Sequence, residues 1–418
     1  MKNLLLCCIL IFSAFYVETS ELVLFSIGNA KVFVFDIFYF SCLSYFFAKT
    51  FISNSPKQRH DNVVFYALLG IVLAGIANSC FSLLRDGASS FGERARSEYY
   101  IVFPALFIFS AFRSRVTIES LLNWLHATGI IVAVVIVVKT ILFSMGLLEA
   151  EDEWVRFGAN NGTIMVVFSL MFLTTKFITS RKIDFFQGLL FVFLLLSLIL
   201  SQFRTMWVAF AISAFVIYIL NLKSYRSLLG LLISAIVIIV LFEVLQTYIL
   251  PRGMTENLQR SSKLLEGFEN DPDWIWRLVQ WDQYYTTSME SPFFGHGIGA
   301  ALPVFVVDKV YDNIPAHNAW LMYFFNQGLA GVLVNLFAHG AVFATQFRLL
   351  KKCVRGSIDH FFILLFIGMH SIVFLYTITY TDSIYMWMFA GLTASLVNIF
   401  WDDKKNNEHL SLSTELQQ

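Results

Sequence analysis

The chain has 418 residues, enough for two or three soluble domains, but its composition is that of a polytopic membrane protein. It is 57% hydrophobic and only 14% charged, with a mean hydropathy of +0.69. Its formal net charge is zero, which gives no support to a nucleic-acid partner. Composition therefore argues against an ordinary soluble enzyme and against a nucleic-acid-binding protein.

Apolar runs long enough to cross a bilayer recur along the chain and predict an all-α fold of about twelve transmembrane helices. This prediction assigns residues 1–250 to nine helices, 251–316 to one large loop, 317–401 to three helices and 402–418 to a tail. The helices are predicted near residues 4–17, 32–48, 63–84, 99–112, 118–145, 162–180, 183–200, 204–220, 227–249, 318–345, 358–379 and 383–400.

Lys and Arg residues in the short loops set the predicted orientation. With the amino terminus inside, most of them fall on the cytoplasmic side, including Lys57, Arg113 and Arg348. The large loop then lies outside and the carboxyl-terminal tail lies in the cytoplasm.

The apolar runs themselves carry no clear chemistry. Five cysteines lie in apolar runs or a basic loop, so the sequence indicates neither a disulfide framework nor a metal site. Asp36, Lys139 and Glu243 fall within predicted spans, but each is close to a helix end, where snorkelling explains it as well as a function does.

Two arginines stand at corners between predicted spans. The polar stretch at 201–205 is too short for anything but a hairpin corner, so Arg204 is expected at the membrane surface. Its guanidinium offers a bidentate fork that suits phosphate oxygens, although contact with lipid headgroups alone also explains it. Arg156 lies in a turn that leads back into the membrane and could approach the same site.

The large loop contains a predicted amphipathic helix. Asp271 and Pro272 are typical of a helix start, as N-cap and first helical residue. Arg277 lies at the edge of the apolar stripe that follows and can point toward a site at the interface. The members of that stripe are Trp274, Leu278, Trp281 and Tyr285, whose helical spacing suits a helix lying on the membrane surface.

A glycine turn and a His-Asn pair follow this helix. Gly295 and Gly297 permit a tight turn and close backbone approach, but match neither a dinucleotide fingerprint nor a phosphate-binding loop. Pro315 ends the loop, so His317 and Asn318 are predicted at the amino terminus of a long apolar helix. The helix dipole favours a neutral imidazole there, which can accept a proton near pH 7, although a capping or interfacial role is also open.

Taken in order, these features resemble the O-antigen ligase and polymerase superfamily of bacterial membrane glycosyltransferases. The resemblance covers about residues 150–345, and the order and placement of its motifs make it more specific than any motif alone. The motifs are Ser201-Gln202-Phe203-Arg204, Arg277, Ser291-Pro292, the glycine turn, Pro315-Ala316-His317-Asn318 and Gly328-Leu329-Ala330-Gly331.

The resemblance implies a GT-C-like enzyme of the bacterial inner membrane, with its active site facing the periplasm and with neither metal nor cofactor. The implied donor is a glycan on undecaprenyl pyrophosphate, and transfer inverts the anomeric centre. Arg204 and Arg277 match the family arginines expected to hold the pyrophosphate, and His317 matches the histidine expected to act on the acceptor hydroxyl. Asn318, Arg156, Gly295 and Gly297 are candidate supporting residues.

Two acceptors are compatible with this resemblance. A ligase passes the glycan to the lipid A core, whereas a polymerase passes it to another lipid-linked repeat unit. The concentration of recognisable chemistry in one large loop favours the ligase. A transporter or flippase also fits the helix count, but no internal repeat is visible and the single large loop is asymmetric.

Overall fold

The computed structural model describes a mostly helical chain with two short β-hairpins. It describes residues 23–27, 30–52, 62–86, 99–147, 160–179, 184–201, 203–222, 272–298, 300, 302–306, 309–311, 316–380, 385 and 387–415. The hairpin strands are β1 (Val23–Ile27), β2 (Ala30–Phe33), β3 (Val304–Val306) and β4 (Lys309–Tyr311). The helices are α1 (Val34–Phe47), α2 (Val63–Asp86), α3 (Phe103–Ala111), α4 (Arg115–Ser144), α5 (Asn160–Thr179), α6 (Phe185–Leu200), α7 (Arg204–Asn221), α8 (Pro272–Ser288), α9 (Ala319–Lys352), α10 (Ile358–Thr377) and α11 (Met388–Glu415).

Most of the predicted helices that fall in the described part of the chain are confirmed within a few residues, as for 63–84 and 358–379. The predicted helices at 4–17 and 227–249 lie outside the described residues. Five candidate membrane spans are found in the described part: Val63–Leu84, Arg115–Ser144, Gly162–Thr179, Ala319–Lys352 and Ile358–Thr377. Shorter apolar helices cover Tyr100–Ala111, Phe185–Leu200 and Arg204–Leu220.

Most of the helices pack around a large apolar core. α4 packs against α5 and α6, α7 against α10, α9 against α2, and α3 against α11. The last helix continues to Glu415, through much of the stretch predicted as a tail. At one end of the bundle, the Arg115 guanidinium forms a bidentate pair with Asp359, at 2.6 and 2.9 Å, and contacts Asp403 at 2.6 Å. This ion cluster joins α4, α10 and α11.

The long helix α9 is sharply broken at Gly328. The sequence predicted one continuous apolar helix here, but Gly328 has φ 65° and ψ −162°, a conformation almost restricted to glycine. Trp320 and His339 would be about 28 Å apart along a straight helix, yet their ring centroids are 5.7 Å apart. The segment 319–327 therefore folds back along the side of the segment 329–352.

The glycine turn completes the hydrogen bonds that this break leaves open. The N–H groups of His296 and Gly297 donate to the carbonyls of Phe325 and Asn326, at 2.7 and 2.8 Å. In return, the Leu329 N–H donates to the Pro292 carbonyl at 2.8 Å. Buried backbone groups need such partners, so the turn and the break depend on each other.

Candidate active site

The loop helix α8 begins at Pro272, as predicted. The face that it packs against α9 carries both polar and aromatic side chains. Gln280, Tyr284 and Ser288 are fully buried on that face. Two members of the predicted apolar stripe, Leu278 and Tyr285, are instead 46% and 52% exposed. An outward apolar face is what a helix on a membrane surface requires.

A small second core holds α8 in place. Tyr284 packs with Val304 of β3 and with Ala316, Met322 and Phe325 around the start of α9. The Gln283 side chain also bonds the backbone of β3 in both directions, donating to the Phe305 carbonyl at 2.6 Å and accepting its N–H at 2.9 Å. The helix that carries Arg277 is thus fixed against α9.

His317 lies directly before the helix start, where the sequence predicted it. Asn318 is the N-cap of α9 and accepts the Leu321 N–H at 3.1 Å. The backbone N–H of His317 donates to the Gln280 side-chain oxygen at 3.2 Å, which ties it to α8. Its half-buried imidazole packs against Trp276, with ring centroids 5.5 Å apart.

Tyr380 joins the parts of the site. This residue follows the end of α10, and its side chain is 7% exposed. Its backbone carbonyl accepts a hydrogen bond from the Ala319 N–H at 3.0 Å. The Arg277 guanidinium lies over its ring, 5.4 Å from the centroid, which is cation–π distance. The His317 ring meets the same tyrosine edge to face at 5.7 Å. One aromatic ring therefore contacts both residues predicted from the loop.

The corner that bears Arg204 lies beside Tyr380. Phe203 packs edge to face on the Tyr380 ring, with centroids 4.9 Å apart. The hydroxyl groups of Thr205 and Thr379 are 3.4 Å apart, so the amino terminus of α7 and the end of α10 meet at this level. Arg204, between Phe203 and Thr205, is half-buried. The three predicted site residues thus lie on segments that meet around Tyr380.

This arrangement suits an anionic substrate that reacts with a hydroxyl group. Two guanidinium groups can bind phosphate oxygens, and the amino terminus of α9 adds the positive end of a helix dipole. An imidazole at that position can take up a proton. The histidine lies directly before the candidate span Ala319–Lys352, and Tyr380 lies three residues after the span Ile358–Thr377 ends.

The other predicted residues have different placements. Gly295 and Gly297 have φ of 70° and 93°, and an added Cβ would come within 2.5 Å of the Asn326 backbone and the Ser82 side chain, respectively. The predicted close backbone approach is thus confirmed as packing against α9 and α2. Arg156 lies outside the described residues.

Tyr380 was missed from the sequence. It follows an apolar span within the run Tyr376-Thr377-Ile378-Thr379-Tyr380, which reads as an ordinary aromatic belt at a membrane interface. Its contacts to Arg277 and His317 come from segments far away along the chain. A local pattern could not reveal them.

Comparison with protein-family models matches residues 189–336 to a family described as O-antigen ligase. The match begins in α6 and ends in the spanning part of α9, so it includes Arg204, Arg277 and His317. No curated protein matches the chain.

Proposed function

Taking the chain as a member of the O-antigen ligase and polymerase superfamily, we propose that it transfers a glycan from undecaprenyl pyrophosphate to the lipid A core. A glycosyltransferase activity of the ligase or polymerase type follows from the family match. The donor, the acceptor and the residue roles are the proposal. The observation that carries it is the meeting of Arg277 and His317 on Tyr380, beside the corner that bears Arg204.

In the proposed reaction, Arg204 and Arg277 hold the pyrophosphate. As the bond from the anomeric carbon to the phosphate oxygen breaks, the electron pair leaves with the undecaprenyl pyrophosphate. Fixed guanidinium groups stabilise this developing charge, so the step needs no divalent metal. Asn318 supports the site as N-cap of α9, and Arg156 is a further candidate to approach the anion.

His317 acts on the acceptor. Its imidazole takes the proton of the acceptor hydroxyl while that oxygen forms the new bond to the anomeric carbon. Attack opposite the leaving group inverts the anomeric centre in one step. The hydrogen bond from the His317 N–H to Gln280 and the packing against Trp276 hold the residue in position.

Charge distribution supports a periplasmic site. Arg348, Lys351 and Lys352 lie at the carboxyl end of α9, away from His317, and Arg115 lies at the amino end of α4. Basic residues concentrate on the cytoplasmic side of bacterial inner-membrane proteins. In this topology the candidate site faces the periplasm, where donor and core acceptor would meet.

A polymerase uses the same chemistry, so the assay must separate the two acceptors. A transporter is less well supported, because an arginine in a transport pathway has no need to meet a histidine on one aromatic ring.

The test is a lipopolysaccharide gel of a strain that lacks the protein, complemented with wild-type or variant chains. Under the ligase proposal, the deletion strain shows bare core while polymer accumulates on undecaprenyl pyrophosphate. Core that bears a single repeat unit would instead identify a polymerase. An unchanged ladder would refute both.

Variants in the complemented strain test the residue roles. His317→Ala and Arg277→Ala are expected to abolish transfer at normal membrane levels of the protein. Arg204→Lys is expected to reduce glycan transfer strongly, because lysine cannot form the two parallel hydrogen bonds that a guanidinium makes to phosphate oxygens. Arg355→Ala, which removes an exposed arginine just beyond the basic carboxyl end of α9, is the matched control and is expected to restore the ladder.

A further inference from the structure

The turn between α8 and β3 exposes two adjacent phenylalanines. Phe293 and Phe294 are 66% and 72% exposed, although the glycine next to them is buried. Adjacent large apolar side chains at such exposure mark a surface that contacts a membrane or another protein. Which of the two this surface contacts depends on the depth of the turn relative to the membrane-spanning helices.

Contacts with α2 give one measure of that depth. The Asn78 side chain donates to the Phe294 carbonyl at 3.3 Å and accepts the Ile298 N–H at 2.8 Å. Asn78 lies six residues before Leu84, where the candidate span of α2 ends, and this corresponds to about 9 Å along the helix. The turn is therefore hydrogen-bonded to α2 below the end of its apolar span.

Contacts with α9 give a second, independent measure. The carbonyls of Pro292 and Phe293 accept the N–H groups of Leu329 and Ala330, at 2.8 and 3.4 Å. These residues begin the part of the candidate span Ala319–Lys352 that follows the break at Gly328. Large outward side chains in the first part of that segment are apolar: Leu329, Leu333, Leu336 and Phe337 are 43% to 61% exposed.

From these two measures we infer that the turn is re-entrant and inserts Phe293 and Phe294 among the acyl chains of the membrane leaflet on the side of the candidate site. At this level the turn contacts α2 and α9, and both helices are candidate spans, whose apolar outer surface suits lipid. The insertion is possible because the backbone of the turn is satisfied by α2 and by the break in α9. It anchors α8, and with it Arg277, at the membrane surface.

A spin label at position 294 tests this inference. The label is attached to Phe294→Cys in the full chain, reconstituted in lipid vesicles, with the five native cysteines replaced by alanine. Collision rates with oxygen, which concentrates in lipid, are compared with those of a water-soluble nickel chelate. Phe293→Cys serves as a second variant if the first does not reconstitute.

Two other labelled positions serve as references, one for contact with lipid and one for contact with water. The first is a chain that keeps Cys80 as its only cysteine, because Cys80 is exposed on α2 near Asn78 and reports lipid contact at the same level. Glu290→Cys, at an exposed position three residues before Phe293, reports water. The oxygen-to-nickel collision ratio at 294 is expected to match that at Cys80 and to exceed that at 290 severalfold.

Two outcomes would overturn the inference. Strong collision with the nickel chelate, as at 290, would place the turn in water. Weak collision with both reagents would mean that another protein surface covers the two phenylalanines. Neither outcome bears on the glycosyl-transfer proposal, which is tested separately.

Discussion

Replacing Tyr380 with leucine should weaken the candidate site without unfolding the protein. The substitution keeps an apolar side chain at a buried position but removes the aromatic face on which Arg277 and His317 lie. Tyr380→Phe keeps that face and is the conservative variant. If the ring positions both residues, the leucine variant loses activity and the phenylalanine variant retains most of it.

The two ring contacts set the expected magnitude. A cation–π contact contributes about 0.5–2 kcal/mol, and an edge-to-face aromatic pair adds about 0.5–1.5 kcal/mol. Their combined loss of about 1–3.5 kcal/mol corresponds to a fall in kcat/KM of roughly 5- to 400-fold. The fall should appear partly as a higher KM for the donor, because Arg277 is proposed to bind the pyrophosphate before reaction.

Tyr376→Leu is the matched control. Tyr376 is 3% exposed, stacks in parallel on Tyr380 with centroids 5.2 Å apart, and meets Phe203 at 5.9 Å. Its replacement removes comparable packing while leaving the Tyr380 ring under Arg277 and His317. The assay is glycan transfer by purified variants in vesicles, with thermal unfolding measured in parallel. Equal losses of activity in the two leucine variants would refute a positioning role for Tyr380.

Further predictions concern the stability of the helix bundle and the reactivity of one thiol. Gly328→Ala should destabilise the protein by about 1–3 kcal/mol through its backbone conformation alone, seen as a lower Tm in detergent. Gly340→Ala, where an added Cβ meets no atom within 4 Å, is the control and should not lower Tm. Arg115→Leu should cost about 2 kcal/mol by breaking the bidentate pair with Asp359, and an unchanged Tm would contradict this. Burial raises the pKa of the Cys353 thiol to about 12, so maleimide labelling should be slow at pH 8 and accelerate as pH rises, whereas rapid labelling at pH 8 would contradict it.

Local signals in the sequence located most of the described helices of the bundle and the starts of the helices that carry the candidate site. Proline at the first position of α8, and Pro315 followed by the apolar run of α9, are features that a few neighbouring residues determine. They placed Arg277 on α8 and His317 directly before α9, as the structure has them. The corner at Arg204 was predictable for the same reason, because the polar stretch between two apolar runs is too short for another structure.

The break in α9 was not predictable from hydropathy. The apolar run continues through Gly328, and glycine alone is compatible with an unbroken helix. What makes the break stable is the set of hydrogen bonds from His296 and Gly297 to Phe325 and Asn326, which join segments about thirty residues apart. Hydropathy also did not reveal which face of α8 packs against the protein, because two residues of that face, Gln280 and Ser288, are polar but buried.

The most direct test of the central claim is transfer by the purified protein in vesicles. The donor is a glycan on undecaprenyl pyrophosphate, the acceptor is lipid A core, and a chelator removes divalent metals. The account predicts transfer by the wild-type chain, and no detectable transfer by the folded His317→Ala variant across the pH range. Transfer by that variant at the wild-type rate would contradict the proposed role of His317 and, with it, the proposed mechanism.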